Sequence, residues 1–452
     1  MKMTFLGATK TVTGSKYLIT LDSKKILVDC GLFQGHKELR LRNWDKFPID
    51  PHTIDAVILT HAHIDHSGYL PLLVKNGFRG NIYCTRGTKD LCTILLPDSG
   101  YLQEEDANRA NQYGYSKHKP ALPLYTMEDG KRALDRFVVC HFDDPILLFG
   151  SLLIKFLPAG HIIGSSMVYL EYQHKSVLFT GDLGRPNHPV MQPPAIITKA
   201  DYLVVESTYG DRLHAKESPL DQLAEIIQQT VARGGSIIIP AFAVGRTQDL
   251  LYYLYVLKKE KRIADIPIFL DSPMAQDVSD LLSQYSSEHR FTHDLANNIC
   301  KIAKYTKTSE ESKFIDQYNL PAIIISASGM AEGGRILHHL KYFLPDERST
   351  IVFTGYQDGG TRGDRLLRGE LEIKIHGAMV PVRAQIKSIT SMSAHADYQE
   401  MLDWLANFKY PPKKVFITHG DLDATKSLKD KIKEKFNWSC VIPEYLQTET
   451  LD

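Results

Sequence analysis

Within His61-Ala62-His63-Ile64-Asp65-His66, four side chains able to ligate a metal fall in six consecutive residues. They lie between an apolar run (Ala56-Val57-Ile58-Leu59-Thr60) and Ser67-Gly68. Imidazole and carboxylate are borderline-to-hard ligands that suit Zn²⁺, and alternation along an extended loop points His61 and His63 the same way. Asp65 and His66, at the turn into a helix, face a different direction. One loop can thus supply half-shells for two adjacent metal ions, the arrangement that hydrolytic dinuclear sites use. Any one of the four alone reads as a polar group capping a strand-to-helix turn. Together they favour metal.

Three further positions share this context, each where an apolar run ends in a glycine-containing loop: His161 in Pro158-Ala159-Gly160-His161, Asp182 in Phe179-Thr180-Gly181-Asp182 and His419 in Ile417-Thr418-His419-Gly420. Strand ends converge on one edge of a sheet, where sites form. Singly each would be a capping residue, but their recurrence strengthens the metal reading.

The elements that must position these residues follow from composition and pattern. With 452 residues the chain is too long for one ordinary core, so two domains are expected, and 43% hydrophobic residues suffice to bury them. No apolar run approaches the roughly eighteen residues of a membrane span, and Met1-Lys2-Met3-Thr4 opens no export signal. A soluble protein without a membrane partner is expected. Cysteines 30, 84, 92, 140, 300 and 440 form no C-x-x-C pair and read as buried thiols in a reducing compartment, the cytoplasm. Lys and Arg total 53, as do Asp and Glu, so the whole-chain field does not favour nucleic acid and an anionic substrate must be drawn locally.

Short runs of Val, Ile, Leu and Tyr predict strands at 3–8, 15–21, 25–30, 56–60, 81–85, 137–142, 152–157, 167–172, 176–180 and 201–206, with a polar helical excursion at 86–136. After about residue 210 strands and helices alternate: strand 235–241, helix 246–258, strand 266–271, a helix near 274–283, strand 322–327, a helix near 333–343 and strand 350–355. Such repeated units imply a parallel sheet with helices on both faces. The last sixty residues return to a strand at 414–418 with flanking helices.

The H-x-H-x-D-H stretch, the downstream Gly160-His161, Thr180-Gly181-Asp182 and the early Val28-Asp29-Cys30-Gly31 together resemble the metallo-β-lactamase superfamily. Glu206-Ser207-Thr208-Tyr209-Gly210, Pro240-Ala241-Phe242-Ala243-Val244-Gly245-Arg246, Ser326-Ala327-Ser328-Gly329-Met330 and Ser393-Ala394-His395-Ala396-Asp397 resemble its β-CASP branch of RNA-processing nucleases. The resemblance spans nearly the whole chain. It implies an α/β fold, an αββα sandwich at 1–209 completed by 390–452, with a parallel-sheet β-CASP domain inserted at 210–389. It also implies two Zn²⁺, one on His61, His63 and His161 and one on Asp65, His66 and His419, with Asp182 bridging. Asp29 would orient zinc histidines from behind. His395 would touch the scissile phosphate or protonate the leaving 3′-oxygen, steadied by Glu206, so that Asp65, Asp182, Glu206 and His395 form the catalytic set. For Glu206 a structural ion pair is an equal alternative.

Ser328 and Gly329, at a glycine-rich strand-to-helix turn, and Arg246 are candidate contacts to RNA phosphates, against the ordinary reading of an unliganded turn and a solvated arginine. The remaining histidines, His339 among them, read as surface or core polar residues.

The activity the resemblance implies is zinc-dependent hydrolysis of single-stranded RNA by a two-metal hydroxide mechanism, as an endonuclease with 5′ exonuclease action also open. No KH-type module is seen, which fits a compact bacterial-type member, and a homodimer stays open. The rivals are another hydrolase of this fold acting on a small molecule, which leaves the large insertion unexplained, a di-iron redox protein, which expects a carboxylate where His63 stands, and a non-catalytic RNA-binding subunit, which does not need all seven ligands.

Overall fold

The computed structural model describes residues 1–114, 116–357 and 359–452, and the chain divides into one unit of residues 1–213 with 395–452 and a second of residues 214–394. The first unit opens with strands β1 (Lys2–Phe5), β2 (Tyr17–Leu21), β3 (Lys24–Val28), β4 (Ala56–Ile58), β5 (Asn81–Thr85) and β6 (Phe137–Cys140). It continues through β7 (Ile146–Leu148), β8 (Leu152–Pro158), β9 (Ser166–Tyr172), β10 (Lys175–Phe179) and β11 (Tyr202–Val205). The second unit holds β12 (Ile237–Pro240), β13 (Ile268–Asp271), β14 (Lys304–Tyr305), β15 (Ile323–Ser326), β16 (Thr350–Phe353), β17 (Glu372–Ile375), β18 (Ala378–Pro381) and β19 (Gln385–Ser388). The chain then returns to the first unit with β20 (Lys414–Ile417), β21 (Cys440–Val441) and β22 (Thr448–Thr450).

Two seven-stranded sheets form the first unit, in the orders β22-β1-β2-β3-β4-β5-β6 and β21-β20-β11-β10-β9-β8-β7. The period-two alternation of β9 shows why they stack. Val168, Leu170 and Tyr172 join Phe5, Ile19, Ile26, Val28 and Phe156 in the core between the sheets. Met167 and Tyr169 point to the opposite face, where Met401, Leu402 and Leu405 of the helix Tyr398–Leu405 and Leu428 and Ile432 of the helix Leu422–Phe436 cover them. The helix Arg86–Tyr113 packs on β5 and β6. The result is the αββα sandwich. Among the described residues no helix is long and apolar enough to cross a membrane.

In the second unit six strands pair in parallel, in the order β14-β13-β15-β12-β16-β19. Ile238, Ile324, Ile351 and Phe353 pack against Ile336, Leu337, Leu340 and Phe343 of the helix Ile336–Phe343. Several strands lie outside the runs expected from the sequence: β7, β14, β19, β21 and β22 at or next to sheet edges, and the separate hairpin of β17 and β18. Edge strands bury few side chains, and the exposed Gln385, Lys387 and Ser388 of β19 carry no apolar signal.

One polar cluster sits inside the second unit. Asp271, at the end of β13 and fully buried, accepts hydrogen bonds from His339 Nε2 (2.8 Å), Ser312 Oγ (2.5 Å), Arg335 Nη1 (2.6 Å) and the Thr306 hydroxyl. His339 Nδ1 lies 2.6 Å from Asp316 Oδ1, so both ring nitrogens face carboxylates and both must carry protons. Burial pushes His339 down, but the two carboxylates outweigh it and raise it to about 9. Burial likewise disfavours the Asp271 charge, yet its donors hold it below the usual carboxylate range.

Because His339 is raised in the folded chain, its contribution to stability is complete below its ordinary value of 6.5 and is lost as pH rises through about 9. Urea unfolding at pH 6.5 and pH 9.5 should show wild type losing about 3 kcal/mol more than His339→Gln over that interval. Equal losses in the two proteins would mean that His339 is neutral in the fold.

Candidate metal centre

The metal loop leaves β4 after Ile58 and enters the short helix Ile64–Ser67, so His61 and His63 precede the helix and Asp65 and His66 lie in its first turn. His161 follows β8, Asp182 follows β10 and His419 follows β20. Alternate strands of one sheet thus bring these residues to the loop. His419 has φ 49°, a left-handed conformation that a histidine adopts only where its surroundings hold it; its N–H donates to Ala8 O (2.8 Å) and its C=O accepts from Ser207 N (3.0 Å).

Two groups form. His61, His63, His161 and Asp182 place ligand atoms within 4.8 Å of one another, and so do Asp65, His66 and His419. In the first, His63 Nδ1 lies 3.2 Å from both His61 Nε2 and His161 Nε2, and Asp182 Oδ2 lies 3.2 Å from His61 Nε2 and 3.5 Å from His161 Nε2. In the second, His66 Nε2 and His419 Nε2 are 3.0 Å apart, and Asp65 Oδ2 lies 3.2 Å from His419 Nε2. Asp182 Oδ1 turns toward this second group, 3.2 Å from His66 Nε2 and 3.7 Å from His419 Nε2. One carboxylate therefore faces both groups, one oxygen to each.

The outer nitrogens set the tautomers. Asp29, itself in a left-handed turn, accepts from Thr60 N (2.8 Å), Thr60 Oγ (2.9 Å) and His66 Nδ1 (2.8 Å). With its proton spent on Asp29, Thr60 Oγ accepts from His61 Nδ1 at 3.1 Å. On the other side Thr208 Oγ donates to Glu206 Oε2 (2.6 Å) and accepts from His419 Nδ1 (3.2 Å). Each of these imidazoles, when neutral, is then a donor outward and offers a lone pair inward. Asp29 thus reaches His66 directly and His61 through Thr60.

Lone pairs and carboxylate oxygens converging in a dry site repel unless a cation lies among them. Burial drives His61 and His161 down and takes His63 to about 3, which keeps the three histidines of the first group neutral. Burial also opposes charge on His66 and His419, but Asp182 and Asp65 overcome it and raise both. Asp65 and Asp182 are held low against burial by the same imidazoles. Asp182 Oδ1 accepts no hydrogen bond, although it is buried. This donor set fits two divalent ions.

Glu206, just past β11, is buried and accepts from Leu183 N at 2.6 Å. Its two oxygens lie 3.1 and 3.0 Å from His395 Nδ1. Burial lowers His395, but the Glu206 charge and hydrogen bond outweigh it and bring it up to about 9. The His395 and His161 rings are 4.6 Å apart, and the Gly184–His395 bridge pins the His395 backbone beside the Asp182 loop.

The candidate phosphate residues lie in the second unit. Ser328 Oγ accepts from Glu332 N (3.0 Å) and Gly333 N (3.3 Å), closing the turn after β15 on itself, and Gly329 lies against the Phe242 ring. Arg246 opens the helix Arg246–Lys259 and pairs with the buried Asp249 at 3.2 Å. Thr60, Thr208 and Ser165, whose Oγ accepts from His161 N and Ile162 N, carry the site without having been singled out as site residues in the sequence. Adjacency to His61 and Glu206 was the only signal for the first two.

Comparison with known proteins places this geometry. Residues 18–200 match a metallo-beta-lactamase superfamily domain, 247–366 a Beta-Casp domain, and 379–443 a Zn-dependent metallo-hydrolase RNA specificity domain. The chain is 36% identical over 428 residues to Ribonuclease TTHA0252 of Thermus thermophilus, covering 93% of each. It is 30% identical to the RNase J-like protein of Methanocaldococcus jannaschii, covering 92% of each, and 31% identical to transcription termination factor FttA of Pyrococcus abyssi, covering 99% of this chain and 71% of that one. A solved structure of unknown function from Enterococcus faecalis shares the fold at 13% identity, with a TM-score of 0.53 over 100% of this chain and 99% of that one. Motifs, fold and relatives agree that the chain belongs to the metallo-β-lactamase superfamily, in its β-CASP branch.

Proposed function

We propose that the chain is a zinc-dependent ribonuclease that hydrolyses phosphodiester bonds of single-stranded RNA by a two-metal hydroxide mechanism, chiefly as an endonuclease. The observation that carries this reading is Asp182, whose two oxygens are shared between two histidine groups. Bound Zn²⁺ ions would act as Lewis acids, supplying hydroxide near neutral pH and offsetting charge on the phosphoryl oxygens. His61, His63, His161, Asp65, His66 and His419 hold the positions, and Asp29, Thr60 and Thr208 keep the ligand nitrogens aimed inward. With Nδ1 held by Glu206, proton donation to the leaving 3′-oxygen falls to His395 Nε2. The ribonuclease names of relatives that match along their length, and the match of 379–443 to an RNA specificity domain, support RNA over a small molecule. All seven ligand side chains are present and grouped, which speaks against a non-catalytic subunit. Six free cysteines suit a cytoplasmic setting.

End-labelled RNA bearing either a 5′-phosphate or a 5′-hydroxyl, incubated with zinc-loaded protein, should give internal fragments from both. Asp182→Asn should lose metal, measured by mass spectrometry, and slow cleavage by about 10³-fold or more. A metal-depleted variant that cleaves at the wild-type rate contradicts the scheme. Mononucleotides released only from the 5′-phosphorylated strand would make it an exonuclease instead.

Glu206→Gln keeps a hydrogen bond to His395 but not the charge. Its kcat should fall by about 10²-fold or more with KM and metal content little changed, and the deficit should shrink on a p-nitrophenyl phosphodiester, whose leaving group needs no proton. An unchanged kcat on RNA would assign Glu206 to structure alone.

A further inference from the structure

The segment leaving β3 lies directly on the metal loop. Cys30 N donates to His66 O (2.7 Å) and Leu32 N to Ile64 O (2.9 Å), and a Cβ on Gly31 would stand 1.5 Å from Asp65 O, so only glycine allows this approach. Asn43 then closes residues 34–42, which include the short helix Lys37–Arg42, through paired bonds with Phe33, its Nδ2 donating to Phe33 O (2.7 Å) and its Oδ1 accepting from Phe33 N (2.9 Å). Beyond the closure Phe47 packs on Tyr69, with ring centroids 5.4 Å apart, just past the metal-loop helix. One end of the segment is thus hydrogen-bonded to the metal-loop backbone, and the other packs on Tyr69 just past it.

Between these two attachments lies Trp44. It is 57% exposed, whereas the chain's other two tryptophans, Trp404 and Trp438, are 6% and 9% exposed. Lys37, Arg40 and Lys46, close to it in sequence, are exposed, as are the acidic Glu38, Asp45 and Asp50. Arg42 is stacked 4.7 Å from the Tyr445 ring and steadies the loop. An exposed indole on an anchored backbone, with cations close to it in sequence, combines what single-stranded nucleic acid takes from a protein: a π face for a base and positive charge for the backbone.

We propose that Trp44 is a stacking platform for a base of the RNA strand running to the metal centre, with Lys37 and Arg40 pairing with its phosphates. The inference rests on the ribonuclease reading and extends it to a named binding position.

Acrylamide quenching tests it, because Trp44 is the accessible tryptophan. Metal-loaded protein is titrated with a short 2′-O-methyl RNA, and with an abasic strand of equal length, each end-labelled so that anisotropy reports binding. The base-bearing strand should shield Trp44 and the abasic strand should not. Trp44→Ala should weaken binding of the base-bearing strand about tenfold, and Trp44→Tyr should recover most of the loss. If a strand binds while Trp44 stays fully quenchable, or binds Trp44→Ala as tightly as wild type, the platform is refuted and the ribonuclease reading stands. If neither strand binds, both fall.

Discussion

Asp182 is the constraint on which the rest of the site depends. It is nearly dry, and its two oxygens face the inward nitrogens of four imidazoles contributed by three separate parts of the chain. Removing a carboxylate from water costs several kcal/mol unless positive charge accompanies it. Here that charge can come from protons on His66 and His419 or from metal ions, and the neutral histidines of the first group leave their share to metal. Everything behind the ligands acts to hold lone pairs toward one another despite their repulsion. Asp29, Thr60 and Thr208 do so through bonds of 2.6 to 3.2 Å.

The strand order follows from the same need. In the second sheet β20 pairs with β11, and β11 with β10, all parallel, so Asp182, Glu206 and His419 emerge from neighbouring strand ends in register. Since β20 comes from the part of the chain after residues 214–394, the metal centre is completed only when the last segment returns to the first unit. The same return carries His395 to Glu206, and β22 to the edge of the first sheet beside β1.

Seven candidate ligands were legible in the sequence because a metal site needs specific side chains at strand ends; His61 to His66 compress four of them into one loop, and the structure groups all seven. The central strands were legible too, since β4, β11, β12 and β15 are wholly buried runs of apolar residues. Threonines look like ordinary strand or turn residues, so beyond their closeness to His61 and Glu206 Thr60 and Thr208 gave no sign of orienting histidines. His339 was unreadable for a different reason: its partners Asp271 and Asp316 are 68 and 23 residues away, and only the packed unit joins them. Edge strands such as β19 and β22 bury too little to leave a hydrophobic pattern.

The central claim is that one carboxylate joins two metal positions. Crystals grown with zinc and measured on both sides of the zinc absorption edge test it most directly. Two anomalous peaks should flank Asp182, one among His61, His63 and His161 and the other among Asp65, His66 and His419. A single peak, or two peaks of which Asp182 touches only one, would contradict the account.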